Sequence, residues 1–298
     1  MASVKYLLPQ KSDYEWGIIT RTVGQQDVPA GSNYPIGEHP DDYLFFVSKG
    51  RVLREAQIIY ITRGSGWFVS AHQPRTSLRA GDAIVLYPGE WHNYAPDKET
   101  GWSEAWIGFT GPFADLLLEK FLPDRSHPIH HVGLSDSLSV AFEKASQIAQ
   151  DQLPAYQQQL AGYIALIAST VYARSKQLPY MDSPDANGIN LAMKHMRQNL
   201  HSNLRMEDIA THSGMSYSKF RKVFRDYTGF APAQYFLRLK MERAKDYLLS
   251  TNLSCKEISY RLGFDSASYF NKMFRHFQGI TPIEFRTTNC GTSKVKSE

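Results

Sequence analysis

Two cysteines, Cys255 and Cys290, in 298 residues are too few for a disulfide framework or a multi-thiolate metal site, and that scarcity fits a reducing compartment. Apolar runs are short. No segment approaches the roughly 20 residues of a membrane span, and the opening MASVKYLLPQKSDYEWG holds nothing long enough for a signal peptide. The expected location is the cytoplasm, with no membrane partner. Glycine (20) and proline (15) are too sparse for collagen or bulk disorder. GxGxxG, P-loop, GxSxG and HExxH signatures are all missing. What is present, 42% hydrophobic, 21% charged and 13% aromatic, is a globular balance. At a nominal ~150 residues per domain it allows about two domains.

Charge divides the chain. Residues 188–298 hold 18 Lys+Arg against 9 Asp+Glu, and residues 1–187 hold 15 against 20. A basic C-terminal part beside a mildly acidic N-terminal part points to nucleic acid as partner of the former. Patterning divides it again. From Tyr14 to about Phe109 short strand-like runs alternate with turn signals: a hairpin signal at Arg63-Gly64-Ser65-Gly66, then turns at Ala80-Gly81-Asp82 and Pro88-Gly89. In WSEAWIGF, Trp102, Glu104 and Trp106 share one face, and Ala105, Ile107 and Phe109 the other. Such spacing predicts a sandwich or small barrel. Residues 135–152 and 155–176 have helical periodicity, the second with Leu160, Ile164, Ile167 and Val171 on one stripe. That stripe predicts a cap on the barrel, a subunit interface, or both. LPYMDSPDANG reads as a linker, and everything after it is predicted helical, including a long helix from Pro232 to Ser250.

The C-terminal part contains a repeat. Ile209 matches Ile258 and Gly214 matches Gly263 at an offset of 49, and Phe220, Phe224, Gly229 and Pro232 match Phe270, Phe274, Gly279 and Pro282 at 50. Matches in this order imply an internal duplication. Each unit is a short helix, a glycine turn, and a second helix that Ser216 or Ser266 is suited to cap. Phe220, Val223, Phe224 and Tyr227 form one inward stripe, and Phe270, Met273, Phe274 and Phe277 the other. Outward remain Ser218, Arg221, Lys222 and Arg225, then Ala267, Ser268, Asn271, Lys272 and Arg275. Long cations mixed with short hydrogen-bonding groups suit a helix-turn-helix presented to a major groove.

The run Ile258 to Pro282, with GF at 263–264, YF at 269–270, a basic residue at 275 and GITP at 279–282, resembles the signature of the AraC/XylS family of transcription regulators. The resemblance extends over residues 188–288. It implies two helix-turn-helix units joined by the long helix and entering successive major grooves of a double-stranded DNA operator. Base-reading positions then fall on Ser218, Arg221, Lys222, Ala267, Ser268, Asn271 and Lys272, with Arg225 and Arg275 beside them. YITRGSGWF, LRAGDAIVLYPGEWHNY and WSEAWIGF resemble the sensor of the arabinose-regulator type, a cupin-like β-barrel followed by two helices through which subunits pair. This implies a mixed fold: a sensing and dimerisation domain over 1–178, a linker over 179–187, an all-α double helix-turn-helix domain over 188–288 and a tail over 289–298. It also implies a homodimer, RNA polymerase as partner, and a small-molecule effector. Sugar contacts fall on Arg63, Tyr94, Glu104 and Trp106. Glu104 departs from the histidine of that type, which argues against arabinose.

Trp67, Trp91, Trp102 and Trp106 place four of the five tryptophans within 40 residues, as barrel filling or as a platform for a sugar ring. Arg63 and Glu104 on aromatic strands need a partner or a ligand if buried. An ionised Glu104 would repel anions, so a neutral sugar is expected. Metal is not: three converging donors are required, His92 has none beside it in sequence, and His130-His131 is placed in a loop with no chemistry assigned. No cofactor is expected. The alternative reading is a carbohydrate-modifying enzyme of cupin type fused to a helical domain.

Overall fold

The computed structural model describes residues 3–36, 40, 43–122, 124–181 and 183–290, the side chain of Cys290 excepted. Residues 291–298, most of the expected tail, lie outside them. The chain divides into two compact units, Met1–Pro179 and Tyr180–Glu298.

In the first unit, β1 (Ser3–Tyr6), α1 (Lys11–Glu15) and β2 (Ile19–Val28) precede β3 (Arg51–Val52), β4 (Ala56–Ser70), β5 (Thr76–Arg79), β6 (Asp82–Leu86), β7 (Trp91–Pro96) and β8 (Trp102–Thr110). Then follow α2 (Pro112–Phe121), β9 (Ile129–His131), α3 (Asp136–Asp151) and α4 (Tyr156–Gln177). The pairing runs β1-β2-β8-β4-β6-β9, with β5 and β7 on the distal half of β4 and β3 on β7. Among the described residues no pairing joins β1 to β9, so the sheet is open. The expected cupin-like β-barrel is therefore wrong, and so is the cupin-like class of sensor. Two features explain the open form. Helices cover one face, so apolar surface is buried without closure, and β4 bends where its register with β8 shifts between Ile61 and Arg63.

That bend also corrects the hairpin expected at Arg63–Gly66. The four residues continue one 15-residue strand. Gly64 adopts φ +78°, and a Cβ there would lie 2.1 Å from the Gly101 carbonyl oxygen. Its job is a close crossing rather than a reversal. His130 and His131, expected in a loop, lie on β9, where His131 pairs with buried Asp82 at 2.7 Å.

Alternation along β8 sorts the two cores as its sequence requires. Ala105, Ile107 and Phe109 face the core shared with α2, α3 and α4, whereas Trp102 packs in the second core with Phe45, Ile59, Phe68 and Tyr94. Leu160, Ile164, Ile167 and Val171 are all at 0% exposure in the first of these. The stripe read as a subunit interface thus packs against the protomer's own sheet, and dimerisation cannot use these four side chains. What α4 leaves outside is a different face, with Leu166 50% and Tyr172 38% exposed.

The second unit is all helix: α5 (Pro184–Gln198), α6 (Met206–His212), α7 (Tyr217–Thr228), α8 (Pro232–Ser250), α9 (Cys255–Arg261), α10 (Ala267–Gln278) and α11 (Pro282–Cys290). Residues 184–187, read as linker, form the first turn of α5. Pro184 tolerates the first helical position because its missing N–H has no partner there anyway, and the Ser183 hydroxyl accepts from the Asp185 amide. α5 to α7 build one core and α9 to α11 another, and α8 contributes Phe236 to the first and Met241, Ala244 and Leu248 to the second.

Candidate nucleic-acid interface and effector pocket

The duplication extends to backbone geometry. Ser216 accepts from the Lys219 amide and Ser266 from the Tyr269 amide, capping α7 and α10. Gly229 and Gly279 end them at φ +78° and +77°, their amides donating to the Arg225 and Arg275 carbonyls at 2.8 Å. Between caps, Phe220, Phe224, Phe270 and Phe274 are fully buried, and Val223, Tyr227, Met273 and Phe277 partly so. Period 3.6 then turns Ser218, Arg221, Lys222 and Arg225 outward on α7 and Ser268, Asn271, Lys272 and Arg275 on α10. All eight are exposed, and Ala267 is half-buried. Among the described residues, no carboxylate lies within 4.0 Å of Arg221, Lys222, Arg225, Lys272 or Arg275. Lys219, off that face, instead binds Asp185 at 2.7 Å. The outward cations of both helices thus remain available to a polyanion.

In the first unit, β1, β2, β3, β4, β7 and β8 and the segment before β3 line a cavity of about 30 Å³, room for one or two waters. Three of the four residues assigned to a sugar line it: Tyr94, Glu104 and Trp106. Arg63 does not. Its side chain is 70% exposed, with Nη2 3.4 Å from Asp27 and Nε donating to Ser103 Oγ at 3.1 Å.

The cavity's cation is Arg51, which the sequence did not single out. Its Nη2 donates to Tyr94 Oη at 2.7 Å, Nη1 to the Tyr43 carbonyl at 3.3 Å and Nε to His92 Nε2 at 3.4 Å. The guanidinium carbon sits 4.9 Å from the Phe45 ring centroid. Glu104 is 3% exposed and accepts from Gln26 Nε2 and, at 2.9 Å, from Tyr34 Oη. Burial pushes its carboxyl above the usual range, although those two bonds and the charge of Arg51 oppose the rise. A second buried carboxyl, Glu55, is also raised by burial against its donors Gln57, Tyr43 and Thr22. His92, buried and close to Arg51, is lowered to about 3. Its Nδ1 bonds the Glu90 carbonyl, and among the described residues no three His, Cys, Asp or Glu side chains converge as a metal site.

Trp106 lies against bare backbone: a Cβ on Gly24, its cross-strand partner, would fall 2.2 Å from the indole. That glycine and the polar run Thr22, Gln26 on the inward face of β2 were the signals available for this side of the pocket. Arg51 offered none, because a two-residue strand has no periodicity to read.

The molecule is therefore a DNA-binding regulator with a duplicated helix-turn-helix unit and a separate unit around a small polar cavity. A family model described as helix-turn-helix domain matches residues 209–288, and one described as AraC-like ligand binding domain matches residues 35–173. The chain is a sequence-specific DNA-binding transcriptional regulator of the AraC/XylS family. It is 28% identical to the MmsAB operon regulatory protein of Pseudomonas aeruginosa over 83% of this chain and 76% of that one. It is 25% identical to the raffinose operon transcriptional regulatory protein RafR of Pediococcus pentosaceus over 81% and 88%. Among solved structures, an AraC-type regulator from Chromobacterium violaceum is similar, at 28% identity and TM-score 0.34, covering 38% of this chain and 96% of that one. The family assignment sets aside the enzyme alternative. Among the described residues no helix is long and apolar enough to cross a membrane.

Proposed function

We propose that α7 and α10 enter two successive major grooves of one operator, and that a homodimer brings two such pairs to paired sites and acts on RNA polymerase. The observation that carries this is the repeated helix: same cap, same terminating glycine, same buried pair of phenylalanines, and free outward cations on both copies. Ser218, Arg221, Lys222, Ala267, Ser268, Asn271 and Lys272 are the proposed base-reading positions, with Arg225 and Arg275 on phosphates. Footprinting on a selected operator should show two grooves on one face, about 34 Å apart, per protomer. Alanine at Arg221 or Asn271 should cost about 1–3 kcal/mol of discrimination at particular base pairs. A single protected groove per protomer overturns the reading.

The effector we propose is a neutral sugar bound by Tyr94, Glu104 and Trp106, with Arg51 in the place first given to Arg63. Trp106 offers an apolar ring face, while Gln26 and Gln57 offer uncharged hydrogen bonds. The regulator of a raffinose operon among its relatives favours the same class. Burial favours the neutral form of Glu104, which suits it to bond hydroxyls, and each of the three guanidinium nitrogens of Arg51 already donates one bond to the protein. Tryptophan fluorescence and thermal shift against neutral sugars, sugar acids and unrelated metabolites test this; binding of acids alone rejects it.

A further inference from the structure

α8 carries a lysine where an apolar residue would fit. Lys240 is 5% exposed, and among the described residues it has no carboxylate within 4.0 Å. Its Nζ donates to the Ser202 carbonyl at 3.0 Å and, at 3.5 Å, to that of Gly263. Ser202 follows α5 and belongs to the first helix-turn-helix half. Gly263 is the turn of the second. The same ammonium stands 4.7 Å from the ring centroid of Phe236, in the first core, and 5.2 Å from that of Phe264, in the second.

At this joint the halves meet backbone to backbone. Gly263 has φ +63°, and a Cβ on it would lie 2.4 Å from the His201 carbonyl oxygen. Beside the joint runs an open groove of about 510 Å³ between Leu204 and Met206 on one side and Tyr269, Met273 and Phe277 on the other, so side-chain packing does not lock the halves there. Burial of an ammonium without a counter-ion is unfavourable, and here it lowers the lysine to about 8. A methyl group in the same place would avoid that cost. What the ammonium adds is a bond to a carbonyl from each half.

We infer that Lys240 is a positioning residue for DNA reading: it fixes α10 relative to α7 and thereby sets which spacing of two major-groove boxes the protein accepts. This rests on the two-groove reading proposed above. The test uses the full chain as wild type, K240M and K240R. The probes are a DNA fragment selected by the wild type from a randomised pool, the same fragment with one base pair inserted between the two boxes of a protomer, and one with a single box scrambled. The insertion should weaken wild-type binding about 30-fold and K240M binding less than about 5-fold, within the range set by mismatched base pairs. K240R, which keeps the donors, should restore discrimination. On the scrambled fragment K240M should match wild type within about twofold, as intact helix-turn-helix halves require. K240M discriminating like wild type overturns the inference, as does an equal loss on intact and scrambled fragments, which marks general damage to the fold. Wild type indifferent to the insertion instead overturns the two-groove reading, and the role of Lys240 falls with it.

Discussion

At the scale of single residues, the first unit stores its chemistry in groups held away from their ordinary protonation. His92 is neutral in the folded chain down to about pH 3, whereas in an unfolded chain it takes a proton near 6.5. Below 6.5 the unfolded state binds more protons, so this residue's contribution to stability is complete above that pH and is lost on acidification, at about 1.4 kcal/mol per pH unit. His130, lowered to about 4 by burial, acts in the same direction. Glu55 and Glu104, both raised, act oppositely, since the folded state takes their protons first. The contribution of His92 is therefore read as a difference. Between pH 7 and 5 the stability gap between wild type and His92→Gln in urea unfolding should shrink by roughly 2 kcal/mol, and a constant gap refutes the assignment. Arg63 shows why such residues are hard to choose from sequence. Alternation from Ile61 puts it on the cavity face, but the irregularity between them resets the count, so Ile61 pairs with Glu104 while Arg63 pairs with Ser103.

At the scale of elements, what was legible was whatever local chemistry fixes alone. Serine caps and terminating glycines located α7 and α10 to within a residue, because those groups satisfy the helix ends themselves. The two faces of β8 followed from alternation. What stayed illegible depended on what an element meets. An apolar stripe on α4 states that Ile164 is buried, and is silent on whether its own sheet or a second subunit buries it. Likewise RGSG reads equally as a reversal or as a bent strand, until Gly101 is known to cross above Gly64. The two sides of α4 now make opposite predictions. Ile164→Glu places a charge in a closed core and should cost more than about 4 kcal/mol, enough to abolish the far-ultraviolet signature of the first unit. Leu166→Glu, on the outward face, should leave that signature intact and, if α4 forms the dimer contact, yield monomers in sedimentation. Unfolding by Leu166→Glu, or a folded Ile164→Glu, contradicts this placement.

For the molecule as a whole, charge and cavity set separate dependences. If Arg225 holds a phosphate, alanine there should weaken all DNA sequences nearly alike and lower the slope of log affinity against log salt by about 0.9. An unchanged slope removes it from the interface. The cavity has a different consequence. Tyr34, Tyr43 and Phe45 line it from the segment before β3, and the two phenols donate to Glu104 and Glu55. The protein thus occupies its own pocket, leaving about 30 Å³. The sugar proposed above needs several times that space; if it enters only when these tyrosines swing aside, its apparent dissociation constant is the intrinsic one divided by the fraction of molecules in that open state. The dose at which the regulator responds would in that case be set partly by an internal competitor tethered to the chain, which no rise in effector dilutes. Tyr34→Phe, which removes one tether and no ring, should move the response to lower effector concentration by roughly three- to tenfold while leaving the ranking of sugars unchanged. A threshold that stays put, or a reordered ranking, would place Tyr34 among the contacts to the ligand instead. Sensitivity and selectivity in this molecule would then be separately adjustable, the first by the phenols that cover the pocket and the second by the strands that floor it.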